Sequence, residues 1–196
     1  NRADAQHGEK GRCFLHWDDV AAHADGMVAA LVPGEDDARA LRWMAELFPD
    51  RGHVCLTHRR RPGEALRLHE AALAARAHGL SPLATGEVLY HHPDRRRLQD
   101  VVTAIREKCT IDDLGLRRER HADRHLKPPA DMARLFRHHP DALAAVARQR
   151  LQRLADRLSA RQLSVTYEAA LAAHIATQCH TEGGARLIER WIERHI

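Results

Sequence analysis

The 196-residue chain lacks the patterns that mark several common protein classes. No apolar run approaches the length needed to cross a membrane, so neither a membrane span nor a signal peptide is expected. The four cysteines, Cys13, Cys55, Cys109 and Cys179, are scattered and form no C-x-x-C pair. This spacing argues against a zinc knuckle or a disulfide framework, and it favours reduced thiols in a cytoplasmic protein.

Nucleotide-binding and nucleophile motifs are also missing. No G-x-G-x-x-G follows a predicted strand, so a dinucleotide-binding fold is not expected. The sequence contains no P-loop of the form G-x-x-x-x-G-K-[ST] and no nucleophile elbow. Neither ATP hydrolysis nor serine-type acyl transfer is therefore expected of this chain.

The composition that remains is typical of a folded protein, with 44% hydrophobic and 30% charged residues. The net charge of +4 is unevenly distributed. Residues 1–50 carry 5 basic and 10 acidic side chains, whereas residues 94–137 carry 12 basic and 8 acidic ones. A basic second half suits contact with phosphate backbones, and the solvated surface of an arginine-rich protein is an equal alternative.

Up to residue 93, helices and short apolar strands alternate in the predicted structure. The predicted strands are residues 27–32, 53–57 and 82–85, and helices are predicted between them at 35–48 and 64–78. Gly79 is the predicted C-cap of the second of these helices. Strands that alternate with helices in this way predict a parallel α/β arrangement.

From residue 94 the pattern becomes helical. Leu98, Val101, Val102 and Ile105 recur at helical spacing and predict one apolar face, with Asp94 as the N-cap. Further helices are predicted at 130–138, 141–159, 168–179 and 185–196, with a short strand at 163–167. The sequence thus predicts three segments: a partial α/β segment over 1–93, a helical segment over 94–147 and a second helical segment over 148–196.

Two histidine-containing motifs have features of binding sites. The basic loop His58–Arg61 is predicted to be a solvated turn. His121 and His125 have the i, i+4 spacing of a zinc site on a helix, but they lack the glutamate of H-E-x-x-H and a third ligand. A packing role is therefore favoured for this pair.

An ordered series of motifs carries a family resemblance. It consists of A-T-G-E-V-L-Y at 84–90, R-R-x-L-Q-D-V-V-x-x-I-R at 95–106, T-I-D-D at 110–113, R-H-x-K-P-P at 124–129 and M-A-R-L-F at 132–136. The series resembles the error-prone branch of bacterial C-family DNA polymerases, at the end of their polymerase-and-histidinol-phosphatase (PHP) domain. The resemblance implies a partial parallel-sheet PHP-type domain followed by helices that lead toward the polymerase palm. It also implies a parent with a role in damage-tolerant DNA replication and repair.

The same resemblance implies which residues carry function. The family's last metal-ligand pair is D-x-H, where this chain has Glu87 and Leu89, so only Glu87 could still ligate, in a degenerate site. His91 and His92 follow, and a helix-capping role is favoured for them. PHP domains use zinc or manganese and the parent polymerase uses magnesium on palm carboxylates. Those carboxylates are absent here, so the fragment is expected to have no cofactor and no catalytic residue of its own.

DNA is the partner that the polymerase resemblance implies. The residues expected near DNA are the basic side chains of the motifs and of the segment between them: Arg95, Arg96, Arg97, Arg117, Arg118, Arg120 and Lys127. Salt-dependent binding is expected, because such contacts release counterions.

The last fifty residues carry a different resemblance. L-x-x-L-x-x-R-L at 151–158 and G-A-R at 184–186 are similar to the C-terminal lid of Clp-type AAA+ unfoldases, in particular the ClpV ATPase of type VI secretion. The resemblance makes Arg186 a nucleotide-sensing residue, inactive here without a P-loop. The change of pattern near residues 140–148 predicts a chain made of two parts, unless one resemblance reflects the alanine- and arginine-rich composition. Self-association through the tail and a metal-dependent phosphoesterase activity are the alternative functions.

Overall fold

The computed structural model describes residues 15–34, 37–160, 162, 164 and 166–178. Helices and strands alternate up to residue 85, and the elements described after that residue are helices. The elements are α1 (Trp17–Ala21), β1 (Ala29–Leu31), α2 (Asp37–Leu47), β2 (Gly52–Thr57), α3 (Glu64–Ala77), β3 (Ser81–Thr85), α4 (Arg96–Glu107), α5 (Pro129–Leu135), α6 (Pro140–Ser159) and α7 (Ala169–Gln178). Short 3₁₀ helices lie at Pro93–Arg95 and Asp112–Arg117. The predicted α/β fold class is confirmed.

The three strands form one small sheet in the order β1-β2-β3. β1 pairs with β2 in parallel, with Ala29 opposite Gly52 and Leu31 opposite Val54. Five of the six residues of β2 are buried, as expected for a central strand with both faces covered. The helix before β3 ends near Gly79, whose φ of +71° is a left-handed conformation that glycine adopts without strain. All three strand predictions are confirmed, although β1 is shorter than its apolar run.

The chain divides into two compact units. The first comprises the residues up to Cys55 together with Glu70–Pro82. Its core is built on the buried side chains of Leu41, Met44, Phe48, Val54 and Leu80. Helix α2 supplies Leu41 and Met44, because its apolar residues recur once per turn.

The second unit comprises Leu56–His69 and the residues from Leu83 onward. Phe136, at the end of α5, is fully buried, and so is Leu114. Helices α6 and α7 pack together through the buried residues Ala147, Leu151, Ala172 and Ile175. Small alanines on both helices let the backbones approach closely, which explains why an alanine-rich sequence forms a stable helix pair here.

Helix α4 forms where it is predicted, but its apolar residues do not face a core. Leu98 is 56% exposed and Ile105 is 72% exposed, whereas Asp100 and Ala104 are buried. The N-cap prediction is wrong as well: the side chain of His92 caps the preceding 3₁₀ turn by accepting the N–H of Asp94, at 3.4 Å. A capping role for His92 is thereby confirmed.

The predicted strand at 163–167 falls partly outside the described residues, and Ser164, Thr166 and Tyr167 are not in a strand. The helix predicted at 185–196 lies outside the described residues. None of the helices in the described part of the chain has the length and apolar character needed to cross a membrane.

Candidate functional site

Three loops of the second unit converge beside the ends of β2 and β3. The hydroxyls of Thr57 and Thr85, the last residues of these strands, lie 2.7 Å apart. The loop after β3 then pairs with the segment before α5, because the N–H of Leu89 donates to the carbonyl of Arg124 at 2.9 Å and the N–H of Leu126 donates to that of Tyr90 at 3.0 Å. These backbone bonds fix the side chains of both segments relative to the strand ends.

The loop after β2 is held by the first residue of α3. The carboxylate of Glu64 accepts the backbone N–H groups of Arg59 and Arg60 and lies 2.9 Å from Nδ1 of His58. Burial alone would raise the pKa of Glu64, but these hydrogen bonds outweigh it and hold the pKa below its usual value. The His58 ring also packs edge-on against Phe136, with ring centroids 5.1 Å apart. The prediction of a solvated turn is therefore wrong for His58 and Arg59, both of which are partly buried.

Glu87, the predicted metal ligand, lies in the loop after β3 with 18% of its side chain exposed. Its carboxylate forms ion pairs with the guanidinium groups of Arg59 and Arg124. Arg124 also donates to the carbonyl of Glu87 at 3.0 Å and to the carboxylate of Glu119 at 2.8 Å. Two guanidinium groups thus lie at the carboxylate where a metal ion would have to bind.

The surroundings of Glu87 do not fit a metal ion. Leu89 is exposed and has no ligating atom, and His92 is used as a cap. Among the described residues, no three histidine, cysteine or acidic side chains are grouped closely enough to hold a metal. His125 does not form a helical pair with His121, because its Nδ1 bonds the carbonyl of Ala122 at 2.7 Å in a non-helical segment. Metal binding at Glu87 stays a prediction that this geometry does not support.

A cavity of about 590 Å³ lies between the loop after β2 and the segment before α5. We call it the arginine cavity because seven arginines line it. They are Arg59, Arg60, Arg61 and Arg67 on one side and Arg118, Arg120 and Arg124 on the other. The nearby carboxylates are already engaged: Asp123 lies 2.8 Å from Nε of Arg60, and Asp100 lies 3.3 Å from Nη2 of Arg118.

The seven basic residues predicted to lie near DNA fall into three groups. Arg118 and Arg120 line the arginine cavity. Three others are engaged inside the second unit: Arg96 pairs with Asp100 at 3.5 Å, Arg117 with Glu107 at 3.0 Å, and Lys127 donates to the carbonyl of Asp123.

Lys127 is partly buried, unlike a lysine that contacts DNA from an exposed surface. Partial burial lowers the pKa of its ammonium group more than the opposing charge of Asp123 raises it, so this pKa lies below the usual value.

Arg95 and Arg97 form the third group, since both are exposed at the start of α4. Arg186 is outside the described residues.

The sequence indicates a basic loop at Arg59–Arg61 but does not group it with Arg67 and Arg124 in one site. The position of this loop one residue after β2 is a usable signal, because residues that follow a parallel strand lie at the edge where α/β proteins bind ligands. The approach of residues 118–124 to that edge is not visible in the spacing of the sequence.

Comparison with known proteins gives two findings. The family model of the C-terminal, D2-small domain of ClpB protein matches residues 139–196. Error-prone DNA polymerase 3 of Agrobacterium fabrum is 52% identical over 140 residues, which are 70% of this chain and 13% of that protein. Error-prone DNA polymerase 2 of Rhizobium meliloti matches with the same identity and coverage.

A third relative matches a longer part of the chain, which includes residues that the ClpB family model also matches. The error-prone DNA polymerase of Allorhizobium ampelinum is 44% identical over 164 residues, which cover 82% of this chain and 14% of that protein. An alignment of that coverage necessarily extends past residue 139, so it overlaps the ClpB match. Most of this chain is therefore homologous to a segment of error-prone DNA polymerases, and it spans about one seventh or less of their length.

Proposed function

We propose that this chain is a fragment of an error-prone DNA polymerase of the C-family alpha-subunit type, from the end of the PHP domain. In the parent protein it would support DNA-directed DNA synthesis during damage-tolerant replication and repair in the cytoplasm. The observation that carries the proposal is the 52% identity over 140 residues to polymerases that bear this name. The fragment would act as a scaffold and DNA contact and would not be catalytic alone.

The start of α4 is the part of the fragment that best suits contact with DNA. Its first turn has no acidic residue and begins with Arg96 and Arg97, directly after Arg95. The 3₁₀ turn Pro93–Arg95 leads directly into α4, so the N–H of Arg95 already donates to the carbonyl of His92 and that of Arg96 to the carbonyl of Pro93. The favourable contact for a phosphate group of the DNA backbone is therefore with the exposed guanidinium groups of Arg95 and Arg97.

Metal chemistry enters the proposal only through the parent protein. A PHP domain with zinc or manganese would supply a metal-activated water, and a palm with magnesium would supply nucleotide transfer. The geometry at Glu87 does not support a metal ion here. We therefore assign no residue of this chain to metal-dependent phosphoester hydrolysis.

A second candidate function rests on the tail. The ClpB match over residues 139–196 and the packing of α6 against α7 favour a Clp-type small domain, of which a ClpV-like lid is the finer proposal. Such a segment would drive self-association. Sedimentation velocity of the Val102→Gln/Ile105→Gln variant over a concentration series tests it, because association through the tail should persist when the exposed apolar face of α4 is removed, and a variant that stays monomeric would contradict it.

DNA binding is tested by fluorescence anisotropy with a labelled duplex over a series of salt concentrations. Each phosphate contact contributes about −0.9 to the slope of log K against log salt. The double variant Arg95→Gln/Arg97→Gln should therefore make the slope shallower by about 1.8. Arg39→Gln/Arg42→Gln, in the first unit, removes the same charge and should leave the slope unchanged. Equal losses in both variants, or no binding by the wild-type chain, would contradict the proposal.

A further inference from the structure

The arginine cavity carries more positive charge than its own carboxylates balance. Four carboxylates pair with its arginines: Glu87, Asp100, Glu119 and Asp123. Seven arginines line the cavity, so positive groups remain in excess even when the carboxylate of Glu64, which also acts on Arg59, is counted. Within the described part of the chain, Arg61 and Arg120 have no carboxylate partner, and Arg67 donates only to the carbonyl of Pro62 at 2.8 Å.

The guanidinium groups crowd one another in this cavity. The pKa of Arg59 lies below its usual value, first because the group is partly buried and then because Arg124 and Arg61 are close to it. Like charges held together in a partly buried space destabilise the fold unless an anion compensates them. The crowding therefore suggests that the cavity is compensated by a ligand.

The loop after β2, which lines the cavity, and the neighbouring loop after β3 each contain a residue in a strained backbone conformation. Arg60 has a φ of +52° and Glu87 a φ of +41°, a region that residues with a side chain seldom occupy. Such strain persists only where the surroundings hold it, and it concentrates at binding sites. Here the hydrogen bonds of Glu64 and Arg124 hold the two loops, so the arginines are preorganised rather than free to spread into solvent.

We propose that the arginine cavity binds a phosphate group that carries two negative charges, without a metal ion. Guanidinium groups match phosphate oxygens with paired hydrogen bonds, and arginines from two chain segments can surround one phosphate from opposite sides. A volume of about 590 Å³ accommodates such a group. The phosphate comes either from solution as orthophosphate or from the end of a DNA strand as a 5′-phosphate.

This site is separate from the DNA contact at the start of α4, because neither Arg95 nor Arg97 lines the cavity. Failure of one proposal therefore leaves the other standing. Arg61 is the residue to change, since it is exposed and has no ion pair within the described residues, so its loss should not disturb the fold. Arg39→Gln, in the first unit, is the control with the same change of charge.

The experiment is isothermal titration of the full chain with sodium phosphate, at constant ionic strength set by chloride and with EDTA present. We expect saturable binding that Arg61→Gln weakens about tenfold, since one hydrogen bond to a charged group is lost, and that Arg39→Gln leaves unchanged. Arg95→Gln/Arg97→Gln should retain phosphate binding. Circular dichroism establishes that each variant is folded.

Competition then identifies the source of the phosphate. A 5′-phosphorylated oligonucleotide that displaces orthophosphate, when its 5′-hydroxyl counterpart does not, identifies a DNA end as the ligand. If neither oligonucleotide displaces orthophosphate, the ligand is free phosphate. The proposal is overturned if phosphate gives no saturable heat, if a parallel titration without EDTA shows binding that is lost when EDTA is added, or if Arg39→Gln weakens binding as much as Arg61→Gln.

Discussion

Nη2 of Arg124 lies 3.4 Å from Oε2 of Glu87, and the guanidinium group of Arg59 contacts the same carboxylate. Glu87 is the residue that the polymerase resemblance places at a metal site. An ion pair with two arginines gives its carboxylate the positive partner that a metal would otherwise provide. This side chain therefore links the loops after β2 and β3 to the segment before α5, in addition to the backbone hydrogen bonds of Leu89 and Leu126.

We predict that Glu87→Gln lowers the free energy of unfolding by about 2–3 kcal/mol, because it leaves the partly buried guanidinium group of Arg59 without its carboxylate and Arg124 with Glu119 alone. Urea unfolding followed by circular dichroism measures the change. Glu119→Gln is the matched control: it removes a carboxylate that pairs with Arg124 alone and is 29% exposed, so its effect should be smaller. Stabilisation of the wild-type chain by added manganese, lost in Glu87→Gln, would show instead that Glu87 binds a metal.

Glu64 gives a prediction about pH. Its pKa is lowered in the folded chain, so its contribution to stability is fully present above the unfolded value of about 4.5 and is lost as the pH falls through the folded value. Glu64→Gln should therefore cost about 1–2 kcal/mol at pH 7 and progressively less below pH 4.5. Urea unfolding between pH 7 and pH 3 measures this convergence.

The control for Glu64 is Glu70→Gln, on the same helix. Glu70 is exposed, so the difference from the wild-type chain should stay near zero at every pH. A constant difference between Glu64→Gln and the wild-type chain across this range would mean that the carboxylate does not hold the loop after β2.

Gly52 tests the packing of the first unit. A Cβ at this position would lie 2.6 Å from Cδ2 of Leu80 and 3.1 Å from the carbonyl oxygen of Phe48. The side chain of Leu80 can shift but the backbone of Phe48 cannot, so we expect Gly52→Ala to lower the free energy of unfolding by about 1–3 kcal/mol. Gly34→Ala, whose Cβ would meet only Oδ1 of Asp37 at 3.8 Å, should be close to neutral. Equal stability of the two variants would contradict the packing described for β2.

The strands and helices of this fold were predictable because their signals are local. The apolar run before Thr57 and the glycine after α3 each act within a few residues, and both elements form within one or two residues of the predicted bounds. The cap of the 3₁₀ turn was harder to predict, since Asp94 and His92 both carry suitable acceptors. The backbone geometry, not the side-chain type, selected His92.

The arginine cavity was not predictable for a different reason. The pairing of Tyr90 with His125 places Arg124 beside the loop after β3, where Glu87 also pairs with Arg59, and no local sequence pattern predicts this contact. The resemblance to polymerases identifies only the basic residues of its own motifs and of the segment between them. It does not distinguish an arginine that pairs with a carboxylate, such as Arg118, from one for which the structure gives no ion pair, such as Arg97.

The periodicity of α4 predicts the helix correctly but does not predict which of its faces is buried. The spacing of its apolar residues identifies one face, but it does not say what covers that face. In the structure the opposite face is turned inward, where Asp100 is held by Arg96 and Arg118. The apolar face, defined by Leu98, Val101, Val102 and Ile105, is exposed.

We therefore predict that the apolar face of α4 promotes self-association of the isolated chain, because contiguous exposed apolar surface is favourable to bury. Val102→Gln/Ile105→Gln should shift sedimentation velocity profiles toward monomer and change the free energy of unfolding by less than about 0.5 kcal/mol. Ala104→Gln, on the buried face of the same helix, should instead lower it by about 1–3 kcal/mol through overpacking. If the double variant loses as much stability as Ala104→Gln, the apolar face must be covered by the chain itself in solution, and the exposed arrangement of α4 is wrong.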